Sequence, residues 1–165
     1  VRKIGDYAFY SCQNLERIKL PSALRELGTW AFTACIRLAS IDLPEGLEEI
    51  GEETFDVCEN LKTVSIPSTV RKIGRRAFMR CYELDNVVIP EGVDEIGERA
   101  FYCCISLKSI ALPQSVKKIK NFTHKDMEPQ NIFSLDENVN VTAPAGSYAE
   151  KYCKRNNVPY TVKEK

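Results

Sequence analysis

Hydrophobic positions along the chain alternate between two spacings. In the first, apolar residues recur every three positions, as in Phe78, Cys81 and Leu84. In the second, apolar and polar residues alternate, with Val87 and Ile89 as the apolar members. A spacing of three predicts a tight, partly helical turn whose apolar side chains face inward. A spacing of two predicts a short strand with one buried face.

Together the two patterns form a unit of 23 residues that occurs five times. The units begin at Ile4, Leu27, Ile50, Ile73 and Ile96. The same period places the aromatic residues Phe9, Phe32, Phe55, Phe78 and Phe101. A fixed period of this length predicts a solenoid, in which stacked strands would place equivalent side chains about 4.8 Å apart. We therefore expect a ladder of phenyl rings to form much of the core.

Glycine and proline occupy fixed places in every unit. The glycines that follow the leading aliphatic residue are Gly5, Gly28, Gly51, Gly74 and Gly97. A positive φ or a close approach between backbones would explain them. Each predicted strand ends at a proline, which predicts a β-turn and then a second short extended piece. The prolines are Pro21, Pro44, Pro67, Pro90 and Pro113.

A second order of 46 residues lies inside the repeat. Pro-Ser turns alternate with Pro-Glu-Gly turns, and the extended piece that follows alternates in charge. The charged residues are Arg25, Glu48, Arg71, Asp94 and Lys117. Stacking in register would place each inner charge between two opposite ones, for a stabilisation of about 0.2–1 kcal/mol a pair. We interpret the alternation as a device that sets register, rather than as a ligand site.

The repeat breaks down after Ile119. Residues 120–131 form an insertion, and Ile132-Phe133 then resembles a degenerate Ala-Phe, with Asp136 where the next cysteine is expected. We therefore divide the chain into a repeat array of five units, residues 1–119, and a C-terminal segment, residues 120–165. That segment comprises a degenerate last repeat with its insertion and a capping helix.

The capping helix is predicted to begin at Ser147, which forms a capping box with Glu150. One face of it carries Ala149, Tyr152 and Cys153 at helical spacing. A solenoid needs an element that covers its last coil, and this helix fits that role. The N-terminal end shows no equivalent cap, so we expect further repeats upstream.

Composition excludes several classes of function. The 165 residues contain 23 Lys plus Arg and 23 Asp plus Glu, so no net field favours nucleic acid or an anionic membrane. No apolar run is long enough to span a bilayer, and no signal peptide is present. We expect no cofactor and no direct membrane insertion.

Five of the seven cysteines follow the repeat, namely Cys12, Cys35, Cys58, Cys81 and Cys104. A straight ladder of parallel side chains cannot converge on one zinc ion, and its geometry suits disulfides poorly. We interpret these cysteines as buried thiols that pack as small hydrophobes, and Cys103 as an extra, more exposed one. His124 is the only histidine and has no catalytic partner by sequence, so we expect no enzyme.

Two outward rows of the predicted strands are the candidate binding face. The first row comprises Arg17, Ser40, Thr63, Asn86 and Ser109, and the second Lys19, Asp42, Ser65, Val88 and Ala111. Small polar side chains on a regular sheet make an accessible platform, which is the usual binding face of solenoids. An ordinary solvated sheet surface is the alternative. Separately, Tyr7 and Trp30 either form a sticky patch or pack against repeats upstream.

The repeated motif I-G-x-x-A-F-x-x-C-x-x-L-x-x-I-x-L-P resembles the leucine-rich repeats of the BspA-like family. The resemblance covers residues 1–119 in five units, and the stretch Ala145 to Tyr152 resembles the usual end of such arrays. It implies a leucine-rich-repeat solenoid of short parallel strands with turns and a helical cap. It also implies a bacterial cell-surface or secreted protein that is used in adhesion and in binding to host or matrix.

The sequence therefore predicts a non-enzymatic interaction module, which presents a rigid surface to a protein or glycan on a host cell, matrix or neighbouring cell. The alternative is a structural spacer that holds another domain of a larger surface protein away from the cell.

Overall fold

The computed structural model describes residues 1–124, 127–133 and 139–163. The chain winds into about six coils, whose strands stack in parallel and in register along two sides of the solenoid. Five of the coils come from the predicted units. A sixth, degenerate coil follows the insertion, which confirms the predicted leucine-rich-repeat solenoid.

The six-stranded sheet follows the order β14-β13-β9-β7-β5-β3 and is parallel throughout. Its strands are β3 (Ser40–Asp42), β5 (Thr63–Ser65), β7 (Asn86–Val88), β9 (Ser109–Ala111), β13 (Asn140–Pro144) and β14 (Tyr160–Lys163). We call it the main sheet. It coincides with the period-two segments, except that residues 17–19 of the first coil form no strand.

The other side of the solenoid carries the second extended piece of each unit. Its strands are β1 (Lys3–Ile4), β2 (Glu26–Leu27), β4 (Glu49–Ile50), β6 (Lys72–Ile73), β8 (Glu95–Ile96) and β10 (Lys118–Ile119). They form a two-stranded sheet, β1-β2, and a four-stranded sheet in the order β10-β8-β6-β4. The insertion contributes an antiparallel pair, β11 (Phe122–His124) and β12 (Met127–Gln130).

The segments with a spacing of three are chains of turns, and the array contains no helix among the described residues. Their backbone N–H groups alternate in direction. In the third coil the N–H of Phe55 donates to Ala77 O in the next coil (2.9 Å), whereas the N–H of Asp56 donates back to Glu53 O (3.2 Å). Glu53 and Val57 adopt positive φ values of 52° and 59°. The predicted tight turn with inward apolar side chains is confirmed. The segment is not helical, because the N–H groups that do not bond within the turn pair with the next coil.

Close approach, and not positive φ, explains three of the five glycines that follow the leading aliphatic residues. None of the five has a φ in the left-handed region. A Cβ on Gly28, Gly74 or Gly97 would lie within 2.6 Å of backbone in the preceding coil. The turn glycines Gly46 and Gly92 do need the conformational freedom of glycine, because their φ values are +105° and +108°.

A continuous stack of phenyl rings fills the core, as predicted. Ring centroids are 4.9 Å apart for Phe9 and Phe32, and 5.4–5.6 Å apart for the next three steps up to Phe101. Phe133 continues the stack at 6.2 Å from Phe101. The N–H of Phe101 donates to Ile132 O (3.2 Å), so Ile132-Phe133 does replace Ala-Phe in the sixth coil.

The cysteine ladder lies beside the rings. Cys35, Cys58, Cys81 and Cys104 are completely buried. Each Sγ–H donates to the carbonyl oxygen of a phenylalanine in the preceding coil at 3.1–3.2 Å. Burial raises the pKa of Cys35 to about 11 and holds the pKa of Cys58 well above its ordinary value. The interpretation of the ladder as buried, packed thiols is confirmed for these four cysteines, but it was wrong for Cys12 of the first coil, which is exposed. Cys103 is more exposed than the four buried thiols, as expected.

The predicted alternation of inner charges does not form ion pairs. No pair within 4 Å joins any of the five residues, all of which lie in the described part of the chain. The ion pairs instead lie one residue further along each unit: Lys3 with Glu26 (2.8 Å), Lys72 with Glu49 (2.6 Å) and Lys118 with Glu95 (3.2 Å).

The 46-residue alternation has a different physical cause. Arg25 Nη1 donates to the carbonyl oxygen of Glu45 in the next coil (3.2 Å). It packs so closely over Gly46 that a Cβ there would lie 2.5 Å from it. Arg71 covers Gly92 in the same way, at 2.3 Å. An arginine in one coil therefore packs against a Pro-Glu-Gly turn in the next, and this pairing recurs every 46 residues.

The last coil is covered by the helix α1 (Tyr148–Arg155), which confirms the predicted cap. Ser147 is its N-cap and its Oγ accepts from the N–H of Glu150 (3.0 Å). Ala149, Tyr152 and Cys153 are the buried residues of the helix. The division of the chain at residue 119 stays a prediction. The side chain of His124 and the whole of Asp136 lie outside the described residues.

Candidate binding face

The main sheet aligns the two predicted rows of outward side chains. Ser40, Thr63, Asn86 and Ser109 are register partners in successive strands, and so are Asp42, Ser65, Val88 and Ala111. All eight are exposed. The residue between the two rows in each strand is buried, namely Ile41, Val64, Val87 and Ile110. The period-two pattern therefore separates an apolar inner face from a continuous outer face, which we call the platform.

The platform is longer than the sequence indicated. β13 places Asn140 beside Ser109 and Thr142 beside Ala111, and β14 then places Thr161 beside Thr142. Thr161 Oγ1 donates to Asn140 Oδ1 (3.3 Å). The alternation of buried Val139, Val141 and Ala143 was the sequence signal that could have assigned these residues to the rows.

Arg17 and Lys19 lie beside the platform but are not part of its ladder. Residues 17–19 form no strand, although Ala39 N–H donates to Glu16 O (3.2 Å) and so keeps the two coils adjacent. Arg17 and Lys19 line a shallow depression of about 250 Å³ together with Ser40 and Asp42. The two cations therefore form a basic margin next to Asp42.

Side chains in the centre of the platform make no hydrogen bonds within the described chain. Ser40, Thr63, Ser65, Asn86 and Ser109 all lack a side-chain partner there. Their donors and acceptors point away from the core and face solvent. Val88 and Ala111 are the apolar members of the rows, and 65% of the surface of Val88 is exposed.

The charged groups that are buried elsewhere are satisfied internally. Arg80 holds the buried carboxylate of Asp56 through two hydrogen bonds of 3.2 and 2.9 Å. Burial raises the pKa of Asp56, and Arg80 opposes that shift. Glu53 is likewise buried and lies 3.1 Å from Arg76 Nη1. These contacts join neighbouring coils and pair both buried carboxylates with arginines.

The aromatic residues of the first two coils pack against each other. The ring centroids of Tyr7 and Trp30 are 5.2 Å apart, and those of Tyr7 and Tyr10 are 5.9 Å apart. Tyr7 is 55% exposed. An exposed aromatic surface is compatible both with a sticky patch and with packing against repeats upstream. The role of Tyr7 and Trp30 therefore stays a prediction.

Within residues 1–124, 127–133 and 139–163, no group of three or more His, Cys, Asp or Glu side chains could hold a metal ion. None of the helices described there is long and apolar enough to cross a bilayer.

Stacked parallel strands, a phenyl ladder and an exposed strand face define a leucine-rich-repeat solenoid. The chain belongs to the family described as the BspA type leucine rich repeat region, whose model matches six copies over residues 2–129 and 48–163. Among curated proteins, no sequence matches the chain closely enough to count as a relative.

Solved structures of bacterial proteins share the fold. A leucine-rich repeat protein from Bacteroides ovatus is 33% identical over 87% of this chain, with a TM-score of 0.76. A leucine-rich repeat protein from T. pallidum is 30% identical over 99% of this chain, with a TM-score of 0.78. The pneumococcal vaccine antigen PcpA is 25% identical over 93% of this chain, with a TM-score of 0.65.

The chain spans 37% of the B. ovatus protein, 79% of the T. pallidum protein and 42% of PcpA. The family and the fold are typical of non-enzymatic repeat proteins.

Proposed function

We propose that this chain is a non-enzymatic interaction module that binds a protein or glycan partner on its platform. The observation that carries the proposal is the set of aligned polar side chains whose hydrogen-bonding groups have no partner within the described chain. Solenoids use extended regular faces of this kind for binding. The phenyl stack beneath the strands keeps the spacing of these groups rigid, which lowers the entropy lost on binding.

The site of action is the cell surface or the surroundings of a bacterium. The likeness to a pneumococcal vaccine antigen supports that placement. The partner is a protein or glycan on a host cell, in the matrix or on a neighbouring cell. Adhesion follows if the full-length protein is held on its own cell.

The test is a triple substitution of Thr63, Ser65 and Asn86 to lysine in the centre of the platform. Three long cations there would block a flat partner without disturbing the buried residues beneath them. We expect binding of immobilised matrix proteins or glycan arrays to fall at least tenfold, with an unchanged circular dichroism spectrum. The matched control substitutes lysine for Gln13, Asn60 and Gln114, which are exposed in turns and lie outside the platform.

Binding that survives the platform substitutions in a full-length context would contradict the proposal. It would favour the alternative of a rigid spacer, for which the platform is only a solvated sheet face. An equal loss in both triple variants would show a general effect of positive charge, which also contradicts a specific face.

A further inference from the structure

A second concave site lies at the opposite end of the solenoid from the first coil. A cleft of about 790 Å³ separates helix α1 from the chain that leaves β10. Lys151 and Arg155, one turn apart on α1, line one side of it. Asn121 and Thr123 line the other side. Its volume is in the range of pockets that take small molecules, about 300–1,000 Å³.

A hydrogen-bonded network fixes the floor of this cleft. The buried hydroxyl of Tyr152 accepts from the N–H of Ile132 (3.1 Å) and donates to Asn121 Oδ1 (2.7 Å). The Asn121 amide in turn donates to Asn156 Oδ1, and Asn156 Nδ2 donates to Tyr152 O (2.8 Å). Burial raises the pKa of Tyr152, so its phenol stays protonated and the network keeps one arrangement at physiological pH. The cleft is thus built before any ligand arrives.

Two cations at the rim are left without an ion pair in the described chain. Lys151 and Arg155 have no carboxylate within 4 Å there, although α1 contains another lysine that is paired: Lys154 lies 2.8 Å from Glu150. Lys120 also lines the cleft and lies 2.7 Å from Glu95. The only acidic side chain among the described lining residues is Glu98. The cleft is therefore locally positive, although the whole chain is neutral.

The remaining lining combines amides and hydroxyls with the rings of Tyr148 and Tyr152. Asn157 and Thr123 are exposed, and neither uses its side chain in a hydrogen bond to the described residues. A polyhydroxylated ligand that carries an anionic group fits both the charge and the hydrogen-bonding groups.

We infer that the cleft between α1 and the insertion binds an acidic saccharide. Its sulfate or carboxylate group lies between Lys151 and Arg155, and its ring hydroxyls face Asn157 and Thr123. Arg155 can hold such a group with two parallel hydrogen bonds, whereas Lys151 acts as a point charge. This site is separate from the platform, so the inference does not depend on the proposed function.

The test is isothermal titration calorimetry with a heparin-derived tetrasaccharide, which carries both sulfate and carboxylate groups. We expect the tetrasaccharide to bind at least tenfold more tightly than a neutral tetrasaccharide or free sulfate. The variant Lys151→Gln/Arg155→Gln should lose at least tenfold in affinity. The matched control is Lys154→Gln/Lys163→Gln, which removes the same charge from exposed positions outside the cleft and should change affinity less than twofold.

Three outcomes would overturn the inference. An equal loss in both double variants would show non-specific attraction. Free sulfate that binds as tightly as the tetrasaccharide would reveal a simple anion site, and a single-stranded oligonucleotide that binds as tightly would reveal a general polyanion site. Unchanged thermal unfolding of the double variant shows that it is folded. The platform substitutions should leave this titration unchanged, which separates the two sites.

Discussion

One hydroxyl group lies in the core without a partner. Thr54 occupies the repeat position that holds alanine in the other four units, and it is completely buried. Its Oγ1 has no hydrogen-bond partner within the described chain. A buried polar group without a partner costs about 1–3 kcal/mol. The third coil therefore carries a local penalty that the neighbouring coils lack.

Replacing Thr54 with valine keeps the shape of the side chain and removes the hydroxyl. We expect Thr54→Val to raise the free energy of unfolding by about 1–2 kcal/mol, measured by urea denaturation. The matched control is Thr33→Val, because the buried Thr33 hydroxyl donates to Glu53 O. That variant should lower the free energy of unfolding by about 1 kcal/mol. If the free energy of unfolding changed in the same direction in both variants, the missing partner of Thr54 would not be the cause.

Glu95 connects charge and stability at the end of the array. Its pKa is lowered, first by a hydrogen bond from Lys120 and then by Lys118. A carboxyl whose folded pKa is depressed stabilises the protein above its unfolded pKa, about 4.3. This contribution is lost as the pH falls through the lower folded pKa.

We therefore expect Glu95→Gln to cost about 0.5–1 kcal/mol at pH 7. The difference from the parent should shrink below about pH 4 and vanish once the carboxyl is protonated in both states. Urea denaturation at a series of pH values measures it. Glu83→Gln is the control, since Glu83 is exposed and has no ion pair within the described chain. A penalty for Glu95→Gln that persists at pH 2.5 would show a cause other than charge.

At the scale of the coil, backbones of neighbouring coils approach closely at Gly28, Gly74 and Gly97, where no Cβ would fit. A Cβ at position 74 would lie 2.6 Å from the backbone carbon of Gly51. Since neither backbone can shift alone in a stacked array, the coils would have to separate locally. Position 5 is the same point of the repeat in the first coil, and a Cβ there would meet nothing within 4 Å.

We expect Gly74→Ala to destabilise the protein by about 1–3 kcal/mol through overpacking. Gly5→Ala should be neutral or stabilise it by up to about 1 kcal/mol, because alanine restricts the unfolded chain. Thermal and urea unfolding of the two variants give the comparison. Equal effects would show that the glycines are needed for backbone conformation and not for close approach.

Repetition explains which parts of the fold could be predicted from sequence. Each core position of the repeat occurs in five units, so the phenyl and cysteine ladders could be predicted from the period and the strand spacing. The turn segments could not be predicted, because a spacing of three fits both a helix and a chain of turns. Only the hydrogen bonds to the next coil, such as that from Phe55 N to Ala77 O, distinguish the two.

The candidate sites were only partly visible in the sequence. The platform rows follow from period two, but their extension to Asn140 and Thr161 depends on pairing across the insertion. The saccharide cleft joins Asn121 and Thr123 to α1, which are distant in sequence and lie outside the repeat. No periodic pattern links Asn121 to Tyr152, so this site could be found only in three dimensions.

At the scale of the molecule, burial rises from the first coil toward the centre. Phe9 is half-buried and has a ring neighbour on one side only, whereas Phe55 is completely buried between two rings. In a solenoid each coil contacts only its neighbours, so its stability depends on how many it has. The first coil of this chain should therefore open before the central coils do.

Truncation of the two rings measures this difference. Phe55→Ala should cost about 3–5 kcal/mol, as for other buried aromatics. Phe9→Ala should cost less than half as much, because its cavity would open to solvent on one side. Equal costs in urea denaturation would show that the end coil is as tightly held as the centre.

Hydrogen exchange tests the same gradient without any substitution. The N–H of Phe9 donates to Ala31 O at 2.8 Å, and the N–H of Phe55 donates to Ala77 O at 2.9 Å. If hydrogen-bond geometry governed protection, the two amide hydrogens should exchange at similar rates, because their bonds have similar lengths. Protection instead reflects the free energy of local opening, which follows burial. We therefore expect the Phe9 amide to exchange at least tenfold faster than the Phe55 amide in NMR-detected exchange. Identical rates would show that all coils open together in one cooperative unit.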